Sequence, residues 1–151
     1  MMNETIIPYN GFGDIDFSMS FDTVIKKLKE NNVRYITEHW PNKGCSPEVA
    51  WDIIRIGNRI SVFFANNKMF KVYFENDFSG KLENGIRIGM SIKDALTIDP
   101  NLEYDEWEEE YISKSGYWLE DDPETNNIIS ITVFIKELED DDEFFSYEWC
   151  K

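Results

Sequence analysis

The sequence predicts an α+β protein in which two related strand-helix-strands repeats form antiparallel sheet with helices on one face. Two observations predict this fold: a strand-to-helix segment that occurs twice, and aromatic-rich alternating segments that follow each copy. We expect residues 1–151 to form a single domain, with repeats over approximately 11–75 and 84–136 and an acidic, aromatic C-terminal segment over 137–151.

The repeated strand-to-helix segment covers Ile15–Ile25 in the first copy and Ile86–Leu96 in the second. All six apolar positions of the first copy are apolar in the second. In each copy a short alternating strand pattern runs into a serine, Ser20 or Ser91, that can cap a helix N-terminus. We therefore expect the preceding methionines, Met19 and Met90, to be buried in equivalent places.

The segments after each helix predict antiparallel strands. The first helix is expected over about Phe21–Asn31, and VAWDIIRI, RISVFFA and KMFKVYF follow it. Gly57-Asn58 and Asn66-Asn67 separate these segments and suit two-residue hairpin turns. The second helix is cut short by Pro100. After it, EEYISK and YWLE flank Ser115-Gly116, and IISITVFIK completes the unit.

The charge of the chain is unevenly distributed. The net charge is −15, and residues 1–71 carry nine basic and eight acidic groups, whereas residues 72–151 carry six basic and 22 acidic groups. A chain this acidic repels nucleic acid and anionic membranes and attracts basic protein surfaces. We therefore expect a basic protein partner, and neither nucleic acid nor membrane.

The N-terminus and the cysteines indicate the compartment. The N-terminus has neither a positive segment nor a long apolar run, and no apolar run in the chain approaches the ~18–20 residues that cross a bilayer. Cys45 and Cys150 match no metal or redox spacing, so we expect free thiols. The sequence predicts a cytoplasmic protein.

No residue pattern in the sequence predicts catalysis. His39 is the single histidine, and NKGCSPE around Cys45 resembles no nucleophile motif. GFGD at Gly11–Asp14 lacks the third glycine of a phosphate loop, and the acidic runs lack the spacing of a calcium-binding EF-hand loop. We predict no enzyme, no catalytic residue, no cofactor and no metal site. A metal-dependent enzyme that uses acidic residues stays open as a third alternative.

Acidic groups crowd around large aromatic residues in the second half, which is typical of a protein interface. Rigid aromatic anchors and steering charges are expected there, although Trp107 and Trp118 could instead be core residues. The predicted partner-binding residues are Glu106, Trp107, Glu108, Glu109, Glu110, Tyr111, Trp118, Glu120, Asp121, Asp122, Asp140, Asp141 and Asp142.

The G-x-x-x-F-x-M-S-x-x-x-V pattern of the first copy, whose Met-Ser step recurs as Met90-Ser91 in the second, resembles, in a small acidic chain, the immunity proteins that accompany polymorphic and contact-dependent growth inhibition toxins of bacteria. In outline, the paired repeats are also similar to the tandem architecture of β-lactamase inhibitory protein. The resemblance covers about Gly11–Leu28 and Asn84–Ile98 as a motif. It implies that the chain binds and neutralises a cognate toxin. We expect this toxin to be a nuclease with a basic cleft. The alternative is a non-catalytic sensor or peptide-binding regulatory domain.

Overall fold

The structure, a computed structural model, describes residues 5–41 and 50–139. Two β-sheets and two α-helices make the described chain an α+β protein, as predicted. In chain order the elements are β1 (Thr5–Ile7), β2 (Gly11–Phe12), β3 (Ile15–Asp16), α1 (Phe21–Glu30), β4 (Ile36–Trp40), β5 (Trp51–Ile56), β6 (Ile60–Ala65), β7 (Lys68–Glu75), β8 (Lys81–Leu82), α2 (Ile92–Ile98), β9 (Glu103–Asp105), β10 (Glu110–Ser113), β11 (Tyr117–Asp121), β12 (Ile128–Phe134) and a 3-10 helix (Lys136–Glu139).

The larger sheet has eight strands in the order β4-β5-β6-β7-β12-β11-β10-β9. All of its strand pairs are antiparallel. The strands β4–β7 form one meander and β9–β12 another, and they meet where β7 pairs with β12, with Val72 opposite Val133. The smaller sheet has the order β3-β2-β1-β8, in which β1 and β8 are parallel.

Both helices begin at the predicted serines. The Ser20 hydroxyl accepts the backbone N–H of Thr23, and the Ser91 hydroxyl accepts that of Asp94. Such caps satisfy a donor that the first helical turn leaves free, at about 1 kcal/mol each. The second helix ends two residues before Pro100, as predicted. Among the described residues, neither helix has the length and apolar character that crossing a membrane requires.

The main core lies between the larger sheet and both helices. Val24 of α1 and Ala95 of α2 belong to one buried cluster, which also contains Val72 of the first meander and Val133 of the second. Since both helices contribute to this cluster, they lie on the same face of the larger sheet. The smaller sheet closes one side of the core, where the ring of Phe12 meets that of Phe74 at a centroid distance of 5.2 Å.

Met19 and Met90 occupy matching turns, but they are half-buried where burial was predicted. Each donates its backbone N–H to the carbonyl of the residue three positions earlier, Asp16 and Arg87. Because each lies in the turn that leads to its capping serine, its side chain packs against the margin of the core and not inside it.

Three local predictions are corrected. The second copy has no strand over Ile86–Met90, where Arg87 forms an isolated bridge within a turn. The loop between β5 and β6 has three residues and not the predicted two, since Ile56 pairs with Ile60. The turn between β6 and β7 is the predicted Asn66-Asn67, with positive φ at both residues. The edge strands β4 and β9 were not predicted, because their sequences ITEHW and EYD are polar and short.

Candidate functional site

The face of the larger sheet that points away from α1 and α2 is called the open face. Successive side chains of a strand alternate between the two faces of a sheet. In β12, Ile131 and Val133 therefore join the helix-side core, while Thr132 and Phe134 point to the open face. The central side chains of the open face are Trp51, Phe63, Phe70, Lys71, Trp118 and Phe134.

A β-bulge places two consecutive residues of β7 on the open face. Phe63 lies opposite Lys71 and Phe64 lies opposite Met69, so Phe70 has no partner in the register. A bulge of this kind breaks the strict alternation of a strand. Phe70 and Lys71 therefore both project from the open face. The sequence KMFKVYF carries no signal that distinguishes this arrangement from a regular strand.

A groove of about 780 Å³ runs along the second-half side of the open face. The rings of Trp118 and Phe134 line it, with centroids 4.4 Å apart and planes tilted by 32°. One wall comes from the 3-10 helix, through Leu138 and Glu139. Asp105 at the end of β9 and Glu108 in the turn that follows it also line the groove.

Glu110 is the half-buried acid of the groove. Burial, and after it the carboxylates of Glu120 and Glu108, raise the pKa of its carboxyl group to about 7, although Lys71 acts in the opposite direction. Glu120 has its own hydrogen bonds, since it accepts the hydroxyl of Tyr73 at 3.0 Å and that of Ser130. The groove therefore holds more negative charge than its own basic groups neutralise.

Lys71 lies on the first-half side of the groove, above aromatic rings. Its Nζ is 4.5 Å from the ring centroid of Phe63 and 5.4 Å from that of Trp51. Burial lowers the pKa of Lys71, while Glu110 and Glu108 act in the opposite direction. Ammonium groups at such distances are attracted to the ring faces. The open face thus already holds one cation on aromatic rings.

The turn between β9 and β10, which contributes Glu108 to the groove, also carries the most exposed of the tryptophans that the structure describes. The carboxylate of Asp105 accepts the backbone N–H groups of Trp107 and Glu108, at 2.9 and 3.1 Å. Glu109 completes the turn with a φ of 55°. The side chain of Trp107 is 96% exposed, so it is not a core residue. Asp105 was missed by the sequence analysis, although an Asp that caps its own turn is a recognisable signal.

The structure distributes the predicted partner-binding residues over several places. Glu108, Glu110 and Trp118 line the groove, and Glu120 lies beside them on the open face. Exposed positions in the adjacent turn are taken by Glu106, Trp107 and Glu109. Three other predicted residues lie apart from the groove lining: Tyr111, Asp121 and Asp122. The remaining three, Asp140, Asp141 and Asp142, lie outside the described residues.

Tyr111 belongs to the helix side of the sheet. Its ring meets that of Tyr104 at a centroid distance of 4.9 Å, and it packs against the main core. Burial raises its pKa, and the carboxylate of Asp121 raises it further. Asp122 accepts the backbone N–H of Glu124 and shapes the loop before β12. Asp121 and Asp122 are therefore associated with the margin of the sheet and not with the groove.

His39 is the other titratable residue that the sequence analysis considered for chemistry. Its Nδ1 lies 2.7 Å from the Asp52 carboxylate, across the pairing of β4 with β5. Cys45, the nucleophile weighed with it, is outside the described residues, as is Cys150. Within residues 5–41 and 50–139, no three His, Cys, Asp or Glu side chains are grouped so that they could hold a metal ion.

Comparison with protein families, with curated proteins and with solved structures finds no match to this chain. The resemblance to immunity proteins therefore remains a prediction, and the geometry of the open face is the basis for a functional proposal.

Proposed function

We propose that this chain is a non-catalytic binding protein that neutralises a basic protein partner, in the manner of a toxin immunity protein. The observation that carries the proposal is the groove of the open face, where Trp118, Glu108 and Glu110 come together beside the exposed Trp107. Neither α-helix contributes to this face. Aromatic side chains ringed by charge are typical of the central, energetically dominant part of a protein interface.

The acidic groups have two separate roles in this proposal. Over distances of about 10 Å or more they attract a basic surface and accelerate its approach. At contact they orient the partner, while buried aromatic area supplies the affinity that slows dissociation. Fast association suits a protein that intercepts a toxin in the cytoplasm before the toxin acts.

The two halves of the larger sheet support the immunity form of the proposal. Each half consists of a serine-capped helix followed by four antiparallel strands, β4–β7 and β9–β12. We infer that the halves are repeats, which is the tandem outline of β-lactamase inhibitory protein. A nuclease toxin would present the phosphate-binding surface of its cleft, and the acidic groove would take the place of nucleic acid.

The test begins with the reading frames next to the one that encodes this chain. We expect one of them to encode a large secreted protein with a basic C-terminal domain. Expression of that domain in a bacterial host should arrest growth, and co-expression of this chain should restore it. Purified, the two proteins should form a complex.

Matched charge variants connect the protection to the groove. E108Q/E110Q should bind the domain about tenfold more weakly, a loss of about 1.4 kcal/mol, and should protect less. D22N/E30Q removes the same charge from α1 and should bind and protect as the wild type does. Equal binding by both variants, or a neighbouring domain that is acidic, contradicts the proposal. Binding of an unfolded peptide in place of a folded domain would favour the sensor alternative.

A further inference from the structure

We propose that the groove receives one arginine side chain of the partner, with its guanidinium group on the ring of Trp118 and its charge facing Glu108 and Glu110. This proposal rests on the proposed function and names the chemistry of the contact. Its basis is the composition of the groove lining, in which aromatic rings and carboxylates come together.

The first step of the argument is charge complementarity. The groove is lined by four carboxylates and two ammonium groups, those of Asp105, Glu108, Glu110, Glu139, Lys71 and Lys114. Within the described residues, neither Glu108 nor Glu110 has a basic nitrogen within 4.0 Å. A guest that carries one positive charge would reduce the mutual repulsion of these acids, whereas an acidic or neutral guest would not.

The second step is the precedent that Lys71 provides. Its ammonium group lies over Phe63 and Trp51 on one side of the groove and faces Glu110 and Glu108 on the other. The rings and carboxylates of the open face therefore offset part of the desolvation cost of a cation, a cost that still lowers the pKa of Lys71. On the second-half side, Trp118, whose ring lies against the buried Phe134, provides an aromatic ring and Glu110 provides a carboxylate, in the same combination.

The third step selects arginine over lysine. A guanidinium group is planar, stacks on indole and offers a fork of donors that matches a carboxylate. It is also less strongly hydrated than ammonium, so that placing it in a half-buried groove costs less. Trp118 presents its ring on the open face beside Glu110, which suits stacking and ion pairing at the same time.

The experiment uses the full chain and short peptides with blocked ends. A tri-arginine peptide is titrated into ¹⁵N-labelled protein while the indole N–H signals of the tryptophans are followed by NMR. Peptides of the same length made of lysine, and of the neutral arginine analogue citrulline, serve as controls. We expect saturable shifts of the Trp118 indole with arginine, weaker binding of lysine by about threefold or more, and none of citrulline.

Two variants assign the effect to the groove. E110Q should weaken binding of the arginine peptide by about fivefold or more, and E30Q on α1 should leave it unchanged. Equal binding of the citrulline peptide, shifts confined to the exposed Trp107, or equal affinity of E110Q and the wild type would overturn the proposal. If the neighbouring domain binds and is neutralised while the peptide fails, the arginine site falls and the proposed function stands. If the peptide binds but no neighbouring domain is neutralised, the arginine site stands and the proposed function falls.

Discussion

Glu110 combines a cost to the folded chain with the role toward a partner that we propose. Burial and two neighbouring carboxylates raise its pKa from 4.5 to about 7. The folded chain therefore holds this proton more tightly than the unfolded chain does. Stability consequently falls as pH rises from about 4.5 through about 7, and above pH 7 the full cost is present. A cation bound beside Glu110 would remove much of that cost.

Removing this carboxylate should stabilise the free protein. At pH 8, E110Q should raise the free energy of unfolding by about 1–2 kcal/mol, after a discount for the solvent screening of a half-exposed group. At pH 5.5 the gain should be smaller, because Glu110 of the folded wild type is then largely protonated and avoids most of the cost of a buried charge. Urea unfolding at the two pH values measures the difference, with E30Q as the exposed control. A gain that is equal at both pH values would show that the pKa of Glu110 is not the cause.

Trp107 and Trp118 should respond differently to truncation. Trp107→Ala should change the free energy of unfolding by less than about 0.5 kcal/mol, because the side chain is 96% exposed. Trp118→Ala should cost about 1–3 kcal/mol, because it removes the ring that packs against Phe134. Chemical denaturation measures both values, and Trp118→Phe, which keeps a ring, is the control. A large loss for Trp107→Ala would mean that this tryptophan is covered in the folded protein.

Among the elements, the loop after β1 supports a wall of the groove. The ring of Tyr9 meets Phe134 edge to face at 6.2 Å, and its hydroxyl donates to the carboxylate of Glu139 in the 3-10 helix. The same ring lies directly over Gly116, in the turn between β10 and β11. The smaller sheet is thereby tied to the 3-10 helix that lines the groove.

Gly116→Ala should break this connection. A Cβ at Gly116 would lie 2.5–2.8 Å from ring atoms of Tyr9, at a φ of +95°. We expect a loss of about 2 kcal/mol or more, from overpacking in addition to backbone strain. Gly85→Ala is the matched control, because its φ is +99° and no atom lies within 4 Å of the added Cβ. Thermal unfolding of both variants compares them, and equal losses would contradict the role of Tyr9.

Over the whole molecule, local sequence patterns predicted the helices and strands better than they predicted the surface that forms the groove. The serine caps and the central strands follow from short apolar periods and turn residues in the sequence. The groove does not, because it depends on the bulge at Phe70, on the pairing of β7 with β12 and on the position of the 3-10 helix. These are long-range features with no local signal. For the same reason the acidic run from Glu106 to Asp122 could be predicted as a surface, but not divided between two faces.

Salt dependence of association tests the central claim, that an acidic groove on the open face meets a basic partner. The association rate constant for the neighbouring basic domain is measured between about 10 and 150 mM salt, where the screening length falls from about 30 Å to about 8 Å. We expect a steep decrease for the wild type and for D22N/E30Q, and a shallower one for E108Q/E110Q. Rates that ignore salt, or slopes that are the same for both double variants, would contradict the claim.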